Sequence, residues 1–229
     1  MVHGGTPQKA PNPRWAVPAF IAGTVIAAVA VTLVSWVLAG PPRDLVALLV
    51  LALVAVVSQV LRVTVLNRVS LAAGSIISLA ACVLVGPVGA ALIGALPMAA
   101  DPGLRRTSVR VFNTAMGALL GSICGLVYIW AGGATDLTTL NGAGDMLVHV
   151  GLALMIADVV QSLGNFMLVG GVVWADQRIP YRPFVLQLLT TSGLAQIGYG
   201  VIGFLFVILW VPAQVGPFSA VLIHDAFEH

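Results

Sequence analysis

Asp158, Gln161, Ser162 and Asn165 are the residues of this sequence best suited to chemistry. They lie in the segment DVVQSLGN, inside an apolar run from Met146 to Trp174. At 100° per residue the three amide and hydroxyl side chains fall within about 60° of Asp158 on one helix face. A carboxylate inside an apolar span costs roughly 2.5–3.5 kcal/mol on insertion scales, which makes Asp158 a candidate functional group. Two readings of the stripe stand side by side. One is a pocket for a small ligand or a proton. The other, the weightier from sequence, is a hydrogen-bonded cluster that holds helices together. His149 falls on the opposite face near the end of the same run, where an interfacial role is expected.

Other candidates carry less. Asn113, Gly117, Gly121 and Gly125 recur every four residues, the spacing of a groove into which a second helix packs closely, within the chain or in a dimer. Cys82 and Cys124 are spaced neither as a metal knuckle nor as a redox motif and read as two small buried or lipid-facing residues. His224, Asp225, Glu228 and His229 are metal-ligand types, but six terminal residues supply no folded ligand set. No phosphate-binding glycine loop, HExxH pattern or nucleophile elbow is present. No enzymatic activity, metal or cofactor is therefore expected.

The elements that must position these groups follow from composition. Of 229 residues, 59% are apolar and only 8% charged, against about 25% charged in soluble domains. Mean hydropathy is +1.05. These values predict an all-α, polytopic transmembrane bundle, and a net charge of +2 suggests no nucleic-acid partner. Seven apolar stretches are expected as spans: Trp15–Leu38, Leu45–Leu61, Val69–Val85, Val88–Ala100, Val111–Ala131, Met146–Trp174 and Phe184–Trp210. The first is too long for the core of a signal peptide. Val88–Ala100 spans only ~20 Å as a helix. It is expected as a tilted span or as one arm of a shallow hairpin with Val69–Val85, turning at Gly86-Pro87. The apolar part of the last segment, Pro217–Ile223, reaches only ~10 Å and reads as an incomplete eighth span. The expected organisation is a tail at 1–14, a membrane domain at 15–223 and a polar tail at 224–229.

Charge orients the bundle. Lys9, Arg14, Arg62, Arg68, Arg105, Arg106, Arg110, Arg178 and Arg182 fall on one side, and only Arg43 falls on the other. The positive-inside rule places the N-terminus and the arginine loops in the cytoplasm of a plasma-membrane protein. Trp15, Trp36, Trp130, Trp174 and Trp210 all lie near span ends, the depth that indole prefers. Arg105, Arg106 and Arg110 are read as topology anchors with access to anionic lipid.

From about Ser70 onward, four segments occur in order: VSLAAGSIISLAACVLVGPVGAALIGAL with an arginine loop after it, VFNTAMGALLGSICGLVYIWAGG, WADQRIPYRPF and IGYGVIGFLFVILW. Over some 150 residues this order resembles the N-terminal multi-span region of actinobacterial membrane-bound HD-domain (HD-GYP-type) phosphohydrolases. The resemblance implies a sensory or anchoring membrane module. In such proteins a cytoplasmic HD domain hydrolyses a cyclic dinucleotide, typically cyclic di-GMP, with paired metal ions. It transfers no catalytic residue here, because His224-Asp225 lacks the other ligands of that domain. It implies an input module whose partners are the lipid bilayer, a homodimer mate or a separately encoded cytoplasmic domain. The Gly-Pro turn followed by a short arginine loop is also similar to substrate-binding subunits of energy-coupling vitamin transporters, in which Asp158, Gln161 and Asn165 would line the pocket. A purely structural membrane subunit is the third reading.

Overall fold

A computed structural model describes the backbone of residues 15–60 and 73–215 and their side chains except those of 73, 194–197 and 211–215. The terminal segments 1–14 and 216–229, and with them the expected polar tails and the incomplete eighth span, lie outside the described residues. The described residues form helices joined by loops, with no strand among them. Its helices are α1 (Ala16–Ala39), α2 (Leu45–Val60), α3 (Ala73–Leu84), α4 (Gly86–Ala100), α5 (Thr107–Trp130), α6 (Ala143–Gln177) and α7 (Tyr181–Val215). A 3₁₀ turn, Leu137–Thr139, precedes α6, and Leu147–Leu152 within α6 is wound as a π-helix.

Three helices are long and apolar enough to cross a membrane: α1, α5 and α6. A fourth is α7, if its two arms, Tyr181–Gly193 and Gly198–Trp210, count as one span bent by 46°. The other three are shorter. At 1.5 Å per residue α4 reaches ~22 Å, against a hydrocarbon core of about 30 Å; the described parts of α2 and α3 adjoin residues 61–72, which lie outside the described residues together with Arg62, Arg68 and the expected span ends at Leu61 and Val69. Large apolar side chains on α1 and α2 face outward, among them Ile26, Leu33, Val37, Leu49 and Leu53. A core protein in water would bury them; a bilayer solvates them.

Local chemistry explains the element boundaries. Asp44 accepts from the backbone N–H groups of Val46 and Ala47, both at 2.9 Å, and so caps the start of α2. Gly86 adopts φ +86°, which lets α3 turn directly into α4, and Pro87 follows in the first helical turn. The pair therefore forms a hairpin. Helix α5 begins at Thr107, four residues before the apolar run at Val111, because its first turn is polar while the backbone is already helical.

The end carrying Arg43 is closed by polar bonds. The Arg43 guanidinium donates to the Thr135 carbonyl at 2.8 Å, and its backbone N–H donates to Val85 at 3.3 Å. One residue thereby ties the α1–α2 loop to the α3–α4 turn and to the loop after α5. The Tyr128 hydroxyl donates to the carbonyls of Ala134 (2.8 Å) and His149 (3.3 Å), and the Ala134 N–H also donates to His149 (2.8 Å). In this loop Asp136 accepts from both the hydroxyl and the N–H of Thr138, which holds its carboxyl below the usual carboxylate range.

Helices α4 and α5 make the closest contact of the bundle. A Cβ built on Gly117 would collide with the backbone of Gly94, one on Gly121 with the carbonyl of Ala90, and one on Gly125 with Pro87. The four-residue glycine line of α5 thus receives α4 of the same chain. On its other side α5 meets α1, where the Thr32 and Ser122 hydroxyls share a 2.9 Å hydrogen bond. Interhelical bonds of this kind replace the hydrophobic drive that is missing between helices in lipid.

Candidate functional site

A cavity of about 170 Å³ lies between α3, α4, α5, α6 and α7. Asp158, Gln161, Ser162 and Asn165 line it from α6, and Asn113 and Gly117 line it from α5. The polar stripe and the inner end of the glycine line, 45 residues apart as measured from Asn113 to Asp158, therefore meet on one space. Asn113 stands six residues, ~9 Å, from the start of α5, and Met98 stands near the end of α4. These positions set the cavity in the half of the bundle nearer Arg105, Arg106 and Arg110.

Asp158 is 2% exposed. One carboxylate oxygen accepts from the backbone N–H of Gly200 at 2.8 Å, and the other accepts from the Ser162 hydroxyl at 3.5 Å. Gly200 is the third residue after the bend in α7. Asp158 accepts from the N–H of a residue just past the bend, much as a capping carboxylate accepts from the first turn of a helix. Discontinuous membrane helices offer such N–H groups to anionic partners at binding sites. Gly200 also permits the close approach, since a Cβ there would stand 2.9 Å from the Asp158 carboxylate and 2.9 Å from the Met155 sulfur.

Gln161 is 9% exposed, and its side-chain oxygen is buried without a hydrogen-bond partner. Buried acceptors of this kind are uncommon and call for an explanation. Asn165 is half-buried at the cavity wall. The Asn113 amide donates to Val109 of its own helix at 2.9 Å. Sequence reasoning did not single out Ser75, Ser78, Tyr199 or Gly200. The first three line the cavity, and Ser78 donates weakly to Ala90 at 3.4 Å. Ser75 and Ser78 stand three apart on one face of α3, a signal available in the sequence; nothing local marks Gly200.

Comparison of the chain with family models, with curated proteins and with solved structures finds no match in any of the three. The site is therefore argued from its own geometry.

The remaining candidates fall elsewhere. His149 is exposed at the Arg43 end, with Nδ1 3.2 Å from the Gly132 carbonyl, and does not reach the cavity. Cys82 and Cys124, expected as unrelated small residues, are brought together: their sulfurs are 3.2 Å apart in the buried core. The reason is the α3–α4 hairpin, which lays α3 beside α5. Asp101 is a second buried acid that the sequence reading passed over, since it sits at the end of an apolar run. It accepts from the Gln59 amide at 2.6 Å and from the Gly103 N–H at 2.7 Å. A wider apolar groove of about 560 Å³ runs between α1 and α5, but its polar lining is limited to Thr32, Thr114 and Arg110. His224, Asp225, Glu228 and His229 lie outside the described residues.

Proposed function

We propose that this chain is a multi-pass plasma-membrane protein with its N-terminus and arginine loops in the cytoplasm, and that it works as a ligand-responsive input or anchoring module. Its membrane domain comprises about seven spans, two of them short and joined at the Gly86-Pro87 turn. The observation that carries the reading is the polar cavity at Asp158, whose carboxylate bridges α6 to the bend of α7. A ligand that engages this carboxylate acts on a bent helix, which is the type of element through which a binding event shifts a conformational equilibrium. The HD-type resemblance supplies the output: a separately encoded cytoplasmic cyclic-dinucleotide phosphohydrolase domain, with a second copy of this chain as the alternative partner. The chain itself carries out no catalysis in this reading.

The vitamin-transporter reading places a ligand site open to the outside. Under the proposed orientation the Asp158 cavity lies in the cytoplasmic half, which favours the signalling reading. Reporter fusions test the orientation: at Gly103 and Arg178 a fluorescent protein is expected to be active, and at Asn141 a secreted phosphatase. Activity of both reporter types on one side would contradict it. The DNA after codon 229 tests the output. An HD-domain reading frame there supports the proposal; a frame for a transport ATPase pair would replace it with the transporter reading.

A further inference from the structure

The cavity has a chemical bias that goes beyond its being polar. Its described lining contains one carboxylate, Asp158, and no Lys, Arg or His. An ionised carboxylate offers about four lone-pair sites, and here only the Gly200 N–H and the Ser162 hydroxyl occupy them. The second orphaned acceptor, the Gln161 side-chain oxygen, belongs to the next turn of the same helix face, and Gln161 lines the same cavity. Ser75 and Ser78 add hydroxyl oxygens across the space on α3. The Asn113, Gln161 and Asn165 amides and the Ser and Tyr199 hydroxyls are neutral groups that can turn an oxygen toward a cation, and the one carboxylate has no cationic partner among the described lining residues.

On this basis, and resting on the reading of the cavity as a ligand site, we propose that it binds one small monovalent cation, an alkali-metal ion or a primary ammonium group. One carboxylate balances one positive charge; a divalent ion would leave a net charge buried, which is costly. Among the described residues no group of three His, Cys, Asp or Glu side chains is placed to hold a metal ion, so a multi-carboxylate or thiolate site for a harder or softer metal is not what the geometry offers. Size agrees. About 170 Å³ is the liquid volume of about five or six waters and falls below the ~300–1,000 Å³ of sites for larger organic ligands. That is room for an ion with part of its hydration, or for a methylammonium-sized group. Seated there, the cation links the carboxylate that holds the α7 bend to oxygens of α3 and α6.

Thermal unfolding of the purified full chain in detergent tests this at constant ionic strength. Sodium, potassium, ammonium or methylammonium chloride replaces N-methylglucamine chloride, whose cation is too bulky for the cavity. At ten times the dissociation constant the midpoint is expected to rise by about 3–6 °C. The inorganic and amine arms identify which cation the site takes. Asp158→Asn keeps an acceptor for Gly200 and is expected to fold and to lose the shift; Gln161→Leu is expected to reduce it. No shift in the wild type, or an undiminished shift in Asp158→Asn, overturns the proposal. Asn165→Cys, in a chain whose Cys82 and Cys124 are replaced by alanine, separates this failure from failure of the underlying reading. If it reacts with a water-soluble thiol reagent while no cation stabilises the protein, the cavity is a wet site for another ligand. If it does not react either, the ligand-site reading fails as well.

Discussion

Asp158→Ala is expected to destabilise the folded bundle by about 1–2 kcal/mol, while Asp158→Asn changes it by less than about 0.5 kcal/mol. The difference follows from one bond. In the wild type the Gly200 N–H donates to the carboxylate at 2.8 Å. Asparagine presents a carbonyl oxygen of nearly the same reach, so the bend in α7 keeps its partner. Alanine removes the buried donor's side-chain acceptor, and a cavity water that took its place would have to be ordered there at an entropic cost. Ser162 loses its acceptor too, although its 3.5 Å bond is long and contributes little. Unfolding of the three proteins in detergent checks the order. Equal stability of alanine and asparagine variants would show that the Gly200 bond is not what holds the bend.

A larger effect is expected from the α4–α5 contact. Gly117→Val and Gly121→Val should each cost about 3 kcal/mol, the upper part of the range for overpacking, or prevent assembly altogether. A Cβ at either position meets backbone atoms of Gly94 or Ala90, and a backbone cannot rotate away as a side chain can. Gly164→Ala is the graded comparison: its Cβ would stand 2.6 Å from one methyl of Leu120, a group that can move, so a smaller loss is expected. Gly23→Ala is the control in the other direction. Nothing lies within 4 Å of its Cβ, and alanine should stabilise the α1 helix by about 0.5–1 kcal/mol. A ranking in which Gly23→Ala is as damaging as Gly121→Val, measured by thermal unfolding, would mean that α4 does not occupy the glycine line.

Much of the helical fold is written in run lengths. The stretches of 24 residues at α1 and α5 are long, almost uncharged and bounded by Pro, Gly or Arg, and hydropathy alone identifies such segments. The hairpin at Gly86-Pro87 is legible because glycine followed by proline stops one helix and starts another. Less legible is the length of α4. Apolar runs report where lipid or core is tolerated, and a helix of 15 residues packed against α5 has the same composition as part of a full span. The site divides in the same way. Asp158, Gln161, Ser162 and Asn165 share a face by helical arithmetic within one segment. The partner Gly200 is set by tertiary packing across 42 residues of chain, and neither its type nor its spacing announces it; Ser75 and Ser78 share a face of α3 by spacing, but their place opposite Asp158, 80 residues from Ser78, is set by packing. The Cys82–Cys124 contact escaped for the same reason: the hairpin, rather than any local motif, places α3 against α5.

A ligand site at Asp158, in the half of the bundle nearer Arg105, Arg106 and Arg110, requires that water and solutes reach Asn165 from that side. Asn165→Cys, in a chain whose Cys82 and Cys124 are replaced by alanine, tests this in sealed vesicles of known sidedness. Leu163→Cys, at a position 42% exposed on the outer surface of the same helix, supplies the lipid-facing reference, because thiolates form in water and not in hydrocarbon. A charged, membrane-impermeant thiosulfonate is expected to modify the residue-165 cysteine on the order of tenfold faster than the residue-163 cysteine, and only from the cytoplasmic face. Equal, slow modification of the two, or reaction of the residue-165 cysteine from the outer face alone, would contradict the claim.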